Sequence, residues 1–232
     1  MHRFMNKGLY AITDSQLLPD DRTLLAACES ALEAGLVLLQ YRDKSADAER
    51  RRRQGDALAA LCARHDVPLI VNDDLELALH LQQRWGKVIG LHVGQDDVSV
   101  ASAREHLGRD AIIGATCHDS VALASVAAGA GASYLAFGRF FASRTKPEAA
   151  PAPLSVLAEV ESLGLPRVAI GGIDVGTAGQ ARAAGAEMLA VVHAIFGMPD
   201  VARAVRELNA RLADVALSNS AIDGKPVIDR CQ

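Results

Sequence analysis

A chain of 232 residues, half of them apolar and few aromatic, can bury a large aliphatic core as one barrel-sized domain or two small ones. Its formal net charge of -4 argues against a general nucleic-acid binder, which carries a basic excess. Four cysteines without CxxC or paired spacing read as reduced thiols, and neither a signal-peptide core nor an apolar run of membrane length is present, so the chain reads as soluble and cytoplasmic with no membrane partner.

The first strand is Gly8-Leu9-Tyr10-Ala11-Ile12-Thr13-Asp14, an apolar run that turns polar at its end. Over 22–34, Leu24, Leu25, Cys28, Ala31 and Leu32 recur at helical spacing, and Gly35 fits the C-cap. Leu36-Val37-Leu38-Leu39 is the second strand and runs straight into Gln40-Tyr41-Arg42-Asp43-Lys44. Alternation along a strand predicts Gln40, Arg42 and Lys44 on one face. A guanidinium there can grip a phosphate with two bonds, an ammonium adds a point charge, and an amide can read a neutral polar edge. The plainer alternative is a solvated strand end. Ser45 is expected to cap a helix to about residue 65, whose run Arg50-Arg51-Arg52-Arg53 reads as a solvated face.

Val67-Pro68-Leu69-Ile70-Val71-Asn72-Asp73-Asp74 is the third strand, with a helix over 75–84. Val88-Ile89-Gly90-Leu91-His92-Val93-Gly94 is the fourth, closing with Gln95-Asp96-Asp97 and a helix over 99–107. Ala111-Ile112-Ile113-Gly114-Ala115-Thr116-Cys117-His118 is the fifth, followed by a small-residue helix over 120–130. Tyr134-Leu135-Ala136-Phe137-Gly138-Arg139-Phe140 is the sixth. The longest irregular connection, 141–153, carries Ser143-Arg144-Thr145-Lys146, and long loops in compact domains tend to be functional or mobile. A helix over 154–163 precedes the seventh strand, Pro166-Arg167-Val168-Ala169-Ile170-Gly171-Gly172-Ile173, whose helix covers 175–184. The eighth strand is expected over 187–195 and the last helix over 199–212.

Fully apolar strands alternating with amphipathic helices indicate a parallel sheet covered by helices. Eight such units at this length favour closure into a single (β/α)8 barrel over residues 1–213, with 214–232 as a loosely attached tail. An open dinucleotide-binding sheet would want Gly-x-Gly-x-x-Gly after the first strand, where none occurs.

In such a barrel every strand ends at one rim, where active sites form. Gln40, Arg42, Lys44, Asn72, Asp73, Asp74, Gln95, Asp96, Asp97, Thr116, His118 and the loop carrying Lys146 gather there. Asp73 or Asp74 could simply cap the next helix, as could Asp96 or Asp97. A hard cation such as Mg²⁺, however, prefers one or two carboxylates plus waters and substrate phosphates, which suits two acidic strand ends beside an Arg/Lys set. Gly171-Gly172, expected to lead directly into a helix, fits either a phosphate on free N–H groups or a tight turn. His193 reads as structural near the end of the last strand, and His92 with His118 lacks the spacing of a zinc pair.

With these residues assembled, the chain resembles the thiamine phosphate synthase family over about residues 8–212. The resemblance rests on Gly8-Leu9-Tyr10-Ala11-Ile12-Thr13-Asp14, Gln40-Tyr41-Arg42-Asp43-Lys44, Val71-Asn72-Asp73-Asp74, His92-Val93-Gly94-Gln95-Asp96-Asp97, Ser143-Arg144-Thr145-Lys146 and Ile170-Gly171-Gly172-Ile173. It implies a (β/α)8 transferase that joins 4-amino-2-methyl-5-(diphosphooxymethyl)pyrimidine to thiazole phosphate, releasing pyrophosphate with Mg²⁺. By position, it implies that Gln40, Tyr41, Arg42, Asp43, Lys44, Asn72, Thr116 and Lys146 line the pyrimidine diphosphate site. Arg42, Lys44 and Lys146 would be the catalytic cations, and Asp73 and Asp97 the Mg²⁺ ligands. Ser143, Arg144, Thr145, Gly172, Val192 and His193 would take the thiazole phosphate. Thr116 stands where the family usually has Ser, keeping the hydroxyl, and His193 replaces a Ser of many relatives. The partners implied are these two small molecules, and a homo-oligomer is left open. A thiazole tautomerase, a phosphosugar isomerase or epimerase, and a non-catalytic thiazole-phosphate-binding regulator are the competing readings.

Overall fold

The computed structural model describes residues 7–142 and 151–222. Eight strands pair in parallel, each with the next: β1 (Gly8–Ile12), β2 (Leu38–Tyr41), β3 (Leu69–Asn72), β4 (Ile89–Val93), β5 (Ile112–His118), β6 (Tyr134–Phe137), β7 (Arg167–Ile170) and β8 (Met188–Val191). β8 returns onto β1, with Tyr10 opposite Ala190, so the sheet closes. The expected (β/α)8 barrel is the observed one.

Around it run α1 (Asp21–Glu33), α2 (Ala48–Arg64), α3 (Leu75–Trp85), α4 (Val100–Leu107), α5 (Val121–Gly129), α6 (Val156–Glu159), α7 (Ala178–Ala183), α8 (His193–Phe196) and α9 (Val201–Ile222). Six of them start on a side chain that accepts a backbone N–H of the first turn: Asp20, Asp47, Asp74, Ser99, Ser120 and Asp200. Each such cap stabilises its helix by about 1 kcal/mol and fixes where the preceding loop must stop. Among the described residues no helix is long and apolar enough to cross a membrane. Cys28, Cys62 and Cys117 are free and buried, and burial pushes the Cys62 and Cys117 thiols up to about 12.

Strand alternation sorts the core into two layers. Outward residues such as Leu9, Leu39, Val71, Leu91, Ile113, Leu135, Ala169 and Leu189 pack against the helices. Inward residues fill the lumen: Tyr10, Ile12, Leu38, Ile70, Ile112, Tyr134, Ala136, Val168, Met188 and Ala190. The lumen holds the Tyr134 ring only because its neighbour on β5 is Gly114, where a Cβ would fall inside that ring.

Several boundaries differ from expectation. α2 is capped by Asp47 rather than Ser45. The expected helix over 154–163 is one α-turn, α6, followed by a 3-10 turn, Glu161–Leu163. β8 stops at Val191 because the chain turns into α8, so His193 opens a helix instead of ending a strand. α9 runs on to Ile222 rather than ending near 212: Ala213, Val215, Ala216 and Leu217 tolerate a helix and no Gly or Pro intervenes before Gly224. It thus crosses the boundary drawn at 213/214; residues 223–232 lie outside those described.

At the end of the barrel opposite the mouth, Arg167 at the start of β7 is only 8% exposed. Its guanidinium donates to Glu187 twice, through Nε to Oε2 at 3.0 Å and Nη2 to Oε1 at 2.7 Å, and through Nη1 to the Leu157 carbonyl at 2.9 Å, while its backbone N–H donates to Glu187 Oε2 at 2.8 Å. Burial pushes the Glu187 carboxyl up, but the Arg167 hydrogen bonds and charge outweigh it and hold the group below the usual carboxylate range. Breaking such a pair leaves the buried cation with only the exposed Glu161 carboxylate, 3.6 Å from Nη2, a loss of about 3 kcal/mol. Glu187→Gln is therefore expected to lower unfolding free energy by about that much in urea titrations at pH 7. Because the folded carboxyl is the more acidic one, the gap between native and variant chains should close as pH falls below about 4.

Candidate active site

The C-terminal ends of all eight strands open at one mouth. β2 contributes the expected cations, but by a different local geometry. The strand stops at Tyr41, so Arg42 and Lys44 stand on the loop that follows it rather than on a continued strand face. Gln40 points into the lumen and is 2% exposed. Arg42 is fixed through its backbone: its N–H donates to Thr13 Oγ1 at 2.8 Å, and the Thr13 hydroxyl returns a bond to the Arg42 carbonyl at 3.3 Å. Its guanidinium stands 4.0 Å from Asp14, at the end of β1. This pairing is loose enough for another anion to compete.

The side chains of Tyr41 and Asp43 turn the other way, toward α2. The Tyr41 hydroxyl donates to Gln54 Oε1 at 2.8 Å, and Asp43 Oδ2 lies 3.3 Å from Arg50 Nε. Any contact these two residues make at the mouth falls to their backbone. The basic run of α2 is not the uniform solvated face expected of it. Arg52 and Arg53 are exposed, yet Arg50 reaches Asp43 and the Pro19 carbonyl, and Arg51 lies 3.6 Å from Asp74. Two of the four thus tie the loops after β2 and β3 to α2.

On β3 the structure separates the two aspartates that the sequence left ambiguous. Asp74 is the N-cap of α3, accepting from Leu77 N at 2.9 Å. Asp73 caps nothing. It holds a left-handed backbone, φ 62°, a conformation that costs a non-glycine residue about 1 kcal/mol, and its N–H is anchored on the His92 carbonyl at 2.9 Å. Its carboxyl receives Asn72 Nδ2 at 2.6 Å and has Lys44 Nζ at 3.7 Å. Asp97 reaches the same carboxyl from the loop after β4, while accepting Gly94 N at 2.8 Å. Neither Asp96 nor Asp97 caps α4, a role Ser99 takes. Burial and then the neighbouring Asp97 hold the Asp73 carboxyl above the usual range, against the pull of Lys44 and Asn72. Two carboxylates forced together and only partly neutralised form a natural seat for a hard divalent cation.

Thr116 lies beneath this group on β5, its hydroxyl 2.9 Å from His92 Nε2. His92 is therefore a lumen residue rather than half of a metal pair with His118, which is exposed at φ 53°. Among the described residues no cluster of three or more His, Cys, Asp or Glu side chains is set to hold a metal. Burial pushes the His92 pKa down to about 4 despite the charge of Asp97. Tyr10 and Tyr134 carry no role of their own in the sequence reading of the site, and His92 enters it only as half of an unsupported zinc pair. The available signal was parity, since all three fall on the same inward phase of their strands as Gln40 and Thr116.

Gly171 and Gly172 do not lead directly into a helix; a turn separates them from α7. Both have positive φ, 95° and 67°, and a Cβ on either would strike the backbone that follows β6. Phe141 N donates to the Gly171 carbonyl at 3.0 Å. The glycines therefore seat the start of the loop that continues to Ser143, Arg144, Thr145 and Lys146, four residues outside those described. Val192 and His193 stand at the same rim, as N-cap and first residue of α8.

Comparison with known proteins bears on the family and the fold. The family model described as thiamine monophosphate synthase matches residues 9–195. The thiamine-phosphate synthase of Chromobacterium violaceum is 52% identical over 202 residues, covering 87% of this chain and 94% of that protein. The structure of a thiamine phosphate pyrophosphorylase from Pyrococcus furiosus superposes with a TM-score of 0.78 at 31% identity, over 90% of this chain and 96% of that one. A 3-hexulose-6-phosphate synthase, at 19% identity and a TM-score of 0.64 over 88% of this chain and 99% of that one, shares the fold alone. The chain belongs to the thiamine monophosphate synthase family.

Proposed function

We propose that this chain transfers the pyrimidinylmethyl group of 4-amino-2-methyl-5-(diphosphooxymethyl)pyrimidine to the ring nitrogen of thiazole phosphate, giving thiamine phosphate and pyrophosphate. One observation carries the reading: Arg42 and Lys44 share a mouth with the paired carboxylates of Asp73 and Asp97. Cations beside such a pair suit a diphosphate bridged to a divalent ion, and none of the competing readings requires that combination.

In this reading the methylene–oxygen bond breaks first, its electron pair leaving with pyrophosphate. The electron-rich aminopyrimidine supports the cation left behind, and the thiazole nitrogen lone pair then closes the new C–N bond. The chain's task is to hold growing negative charge on the departing diphosphate. Arg42 offers a planar fork, Lys44 a mobile point charge, and Lys146 a third cation from the loop after β6. Gln40, Asn72 and Thr116 orient the pyrimidine, with the backbone of Tyr41 and Asp43 beside them. Ser143, Arg144, Thr145, Gly172, Val192 and His193 take the thiazole phosphate. Asp73 and Asp97 would hold Mg²⁺, which when bound supplies Lewis-acid neutralisation of the diphosphate. No general base is needed, which accords with a histidine locked neutral in the lumen.

Pyrophosphate release from the purified chain with both substrates tests the reading, and release that ignores the thiazole phosphate or the metal would overturn it. Arg42→Ala is expected to lower kcat/KM by about 2–4 kcal/mol, the size of one lost electrostatic partner. Asp73→Asn should raise the Mg²⁺ concentration needed for half-maximal rate. A chelator should abolish turnover by the native chain, and added Mg²⁺ should restore it.

A further inference from the structure

Five buried or half-buried polar side chains cross the lumen in single file beneath the mouth. Gln40 Nε2 donates to the Tyr10 hydroxyl at 2.6 Å, and the Tyr10 and Tyr134 hydroxyls lie 2.7 Å apart. The Tyr134 hydroxyl lies 3.0 Å from His92 Nδ1, and His92 Nε2 lies 2.9 Å from Thr116 Oγ1. Tyr10, Tyr134 and Gln40 are at most 2% exposed and His92 is 9% exposed, so water cannot repair a missing bond.

Counting protons sets the direction. Tyr10 already accepts from Gln40, so its own O–H must go to Tyr134. The reverse arrangement would leave that O–H without an acceptor, costing about 1–3 kcal/mol. Tyr134, accepting from Tyr10, must donate to His92 Nδ1. Both ring nitrogens of His92 meet hydroxyls and no carboxylate, so the ring is neutral and its one proton sits on Nε2, facing Thr116. The Thr116 oxygen then accepts, and its own O–H is turned away from His92 toward the mouth. At the other end Gln40 gives one of its two amide hydrogens to Tyr10, which turns the amino group inward and leaves Oε1 as its outward acceptor. Neither Gln40 Oε1 nor the Thr116 O–H has a partner among the described residues.

We propose that Tyr10, Tyr134 and His92 form a one-way hydrogen-bond relay that ties the acceptor face of Gln40 to the donor hydroxyl of Thr116. The pocket thereby selects a planar heterocycle that presents an N–H donor toward β2 and an acceptor toward β5. This rests on the functional reading above and adds its source of specificity: the relay residues touch no substrate and act as positioning residues. A single substitution at one end must reverse every link.

Nitrogen-15 NMR of histidine in the ligand-free full chain reads the relay directly, with the His92 signals assigned by their loss in His92→Asn. The native ring should be the Nε2–H tautomer. Gln40→Glu supplies only acceptors, so Tyr10 must donate to it, each bond inverts, and His92 should become the Nδ1–H tautomer. In a Tyr134→Phe background the relay is cut, and Gln40→Glu should leave the tautomer unchanged. A native Nδ1–H ring, or a ring indifferent to Gln40→Glu, overturns the proposal. Kinetics give a second readout. Tyr134→Phe should raise KM for the pyrimidine diphosphate about tenfold, the size of one oriented hydrogen bond, but less than twofold when Thr116→Val is already present. Equal effects in both backgrounds overturn it as well. Because the NMR needs no substrate, a chain that releases no pyrophosphate sinks the functional reading while the tautomers still report on the relay.

Discussion

A barrel lumen has no second side. Whatever eight strands point inward must pack with itself, and any polar atom among those residues must find its partner there. Here the lower lumen is aliphatic, with Leu38, Ile70, Ile112, Val168 and Met188, while Gln40, Tyr10, Tyr134 and His92 cross it under the mouth. An aliphatic layer tolerates small shifts in rotamer and register, whereas a chain of hydrogen bonds 2.6–3.0 Å long does not. With Thr116 at its end, the polar file therefore fixes β1, β2, β4, β5 and β6 relative to one another directly beneath the residues that meet the ligand. Gly114 belongs to the same constraint, because the Tyr134 ring occupies the space a side chain there would need.

Above this floor the mouth is built from loops, which ordinarily move. Three devices hold them. Arg50 and Arg51 tie the loops after β2 and β3 to α2. Thr13 locks the backbone of Arg42 from both sides. The glycine pair after β7 admits the chain leaving β6 to van der Waals range. None of these residues carries the charge on which the proposed reaction depends, and each decides where such a charge stands.

How much of this was legible in the residues follows from what each pattern encodes. Apolar runs ending in polar clusters gave the strands and the shared rim, because period and polarity are local properties. The Asp73/Asp74 ambiguity was not resolvable from sequence: both are acids at a strand end, and only a left-handed backbone at the first hands the cap to the second. The arginine run departs from the solvated face expected of it because helical periodicity says which face a residue occupies, not which loop lies above that face. Strand lengths were overestimated at β2 and β8 for a related reason: an apolar or alternating pattern continues past the last ladder bond, and the turn that ends the ladder is set by tertiary packing. In sequence His92 reads only as an unsupported zinc candidate, and its part in the lumen follows from register. Pairing of Asn72 with His92 and of His92 with Gly114 places its ring where Tyr134 and Thr116 meet it.

The electrostatics of the two levels are opposite in kind, and the difference bears on the chemistry. The lumen is polar but uncharged: burial drives His92 toward its neutral form and the two tyrosines away from ionising. The mouth is charged and only partly compensated, with Arg42 at 4.0 Å from Asp14 and Lys44 at 3.7 Å from Asp73. Ion pairs this long and this exposed contribute little to stability, so retaining them on stability grounds is a weak argument. They make sense as charges held in readiness, each close enough to its partner to stay in place and far enough to exchange it for an incoming phosphate. A neutral, rigid floor under such a set keeps proton transfer out of the way and leaves charge stabilisation as the work of the site, which is what departure of a diphosphate demands.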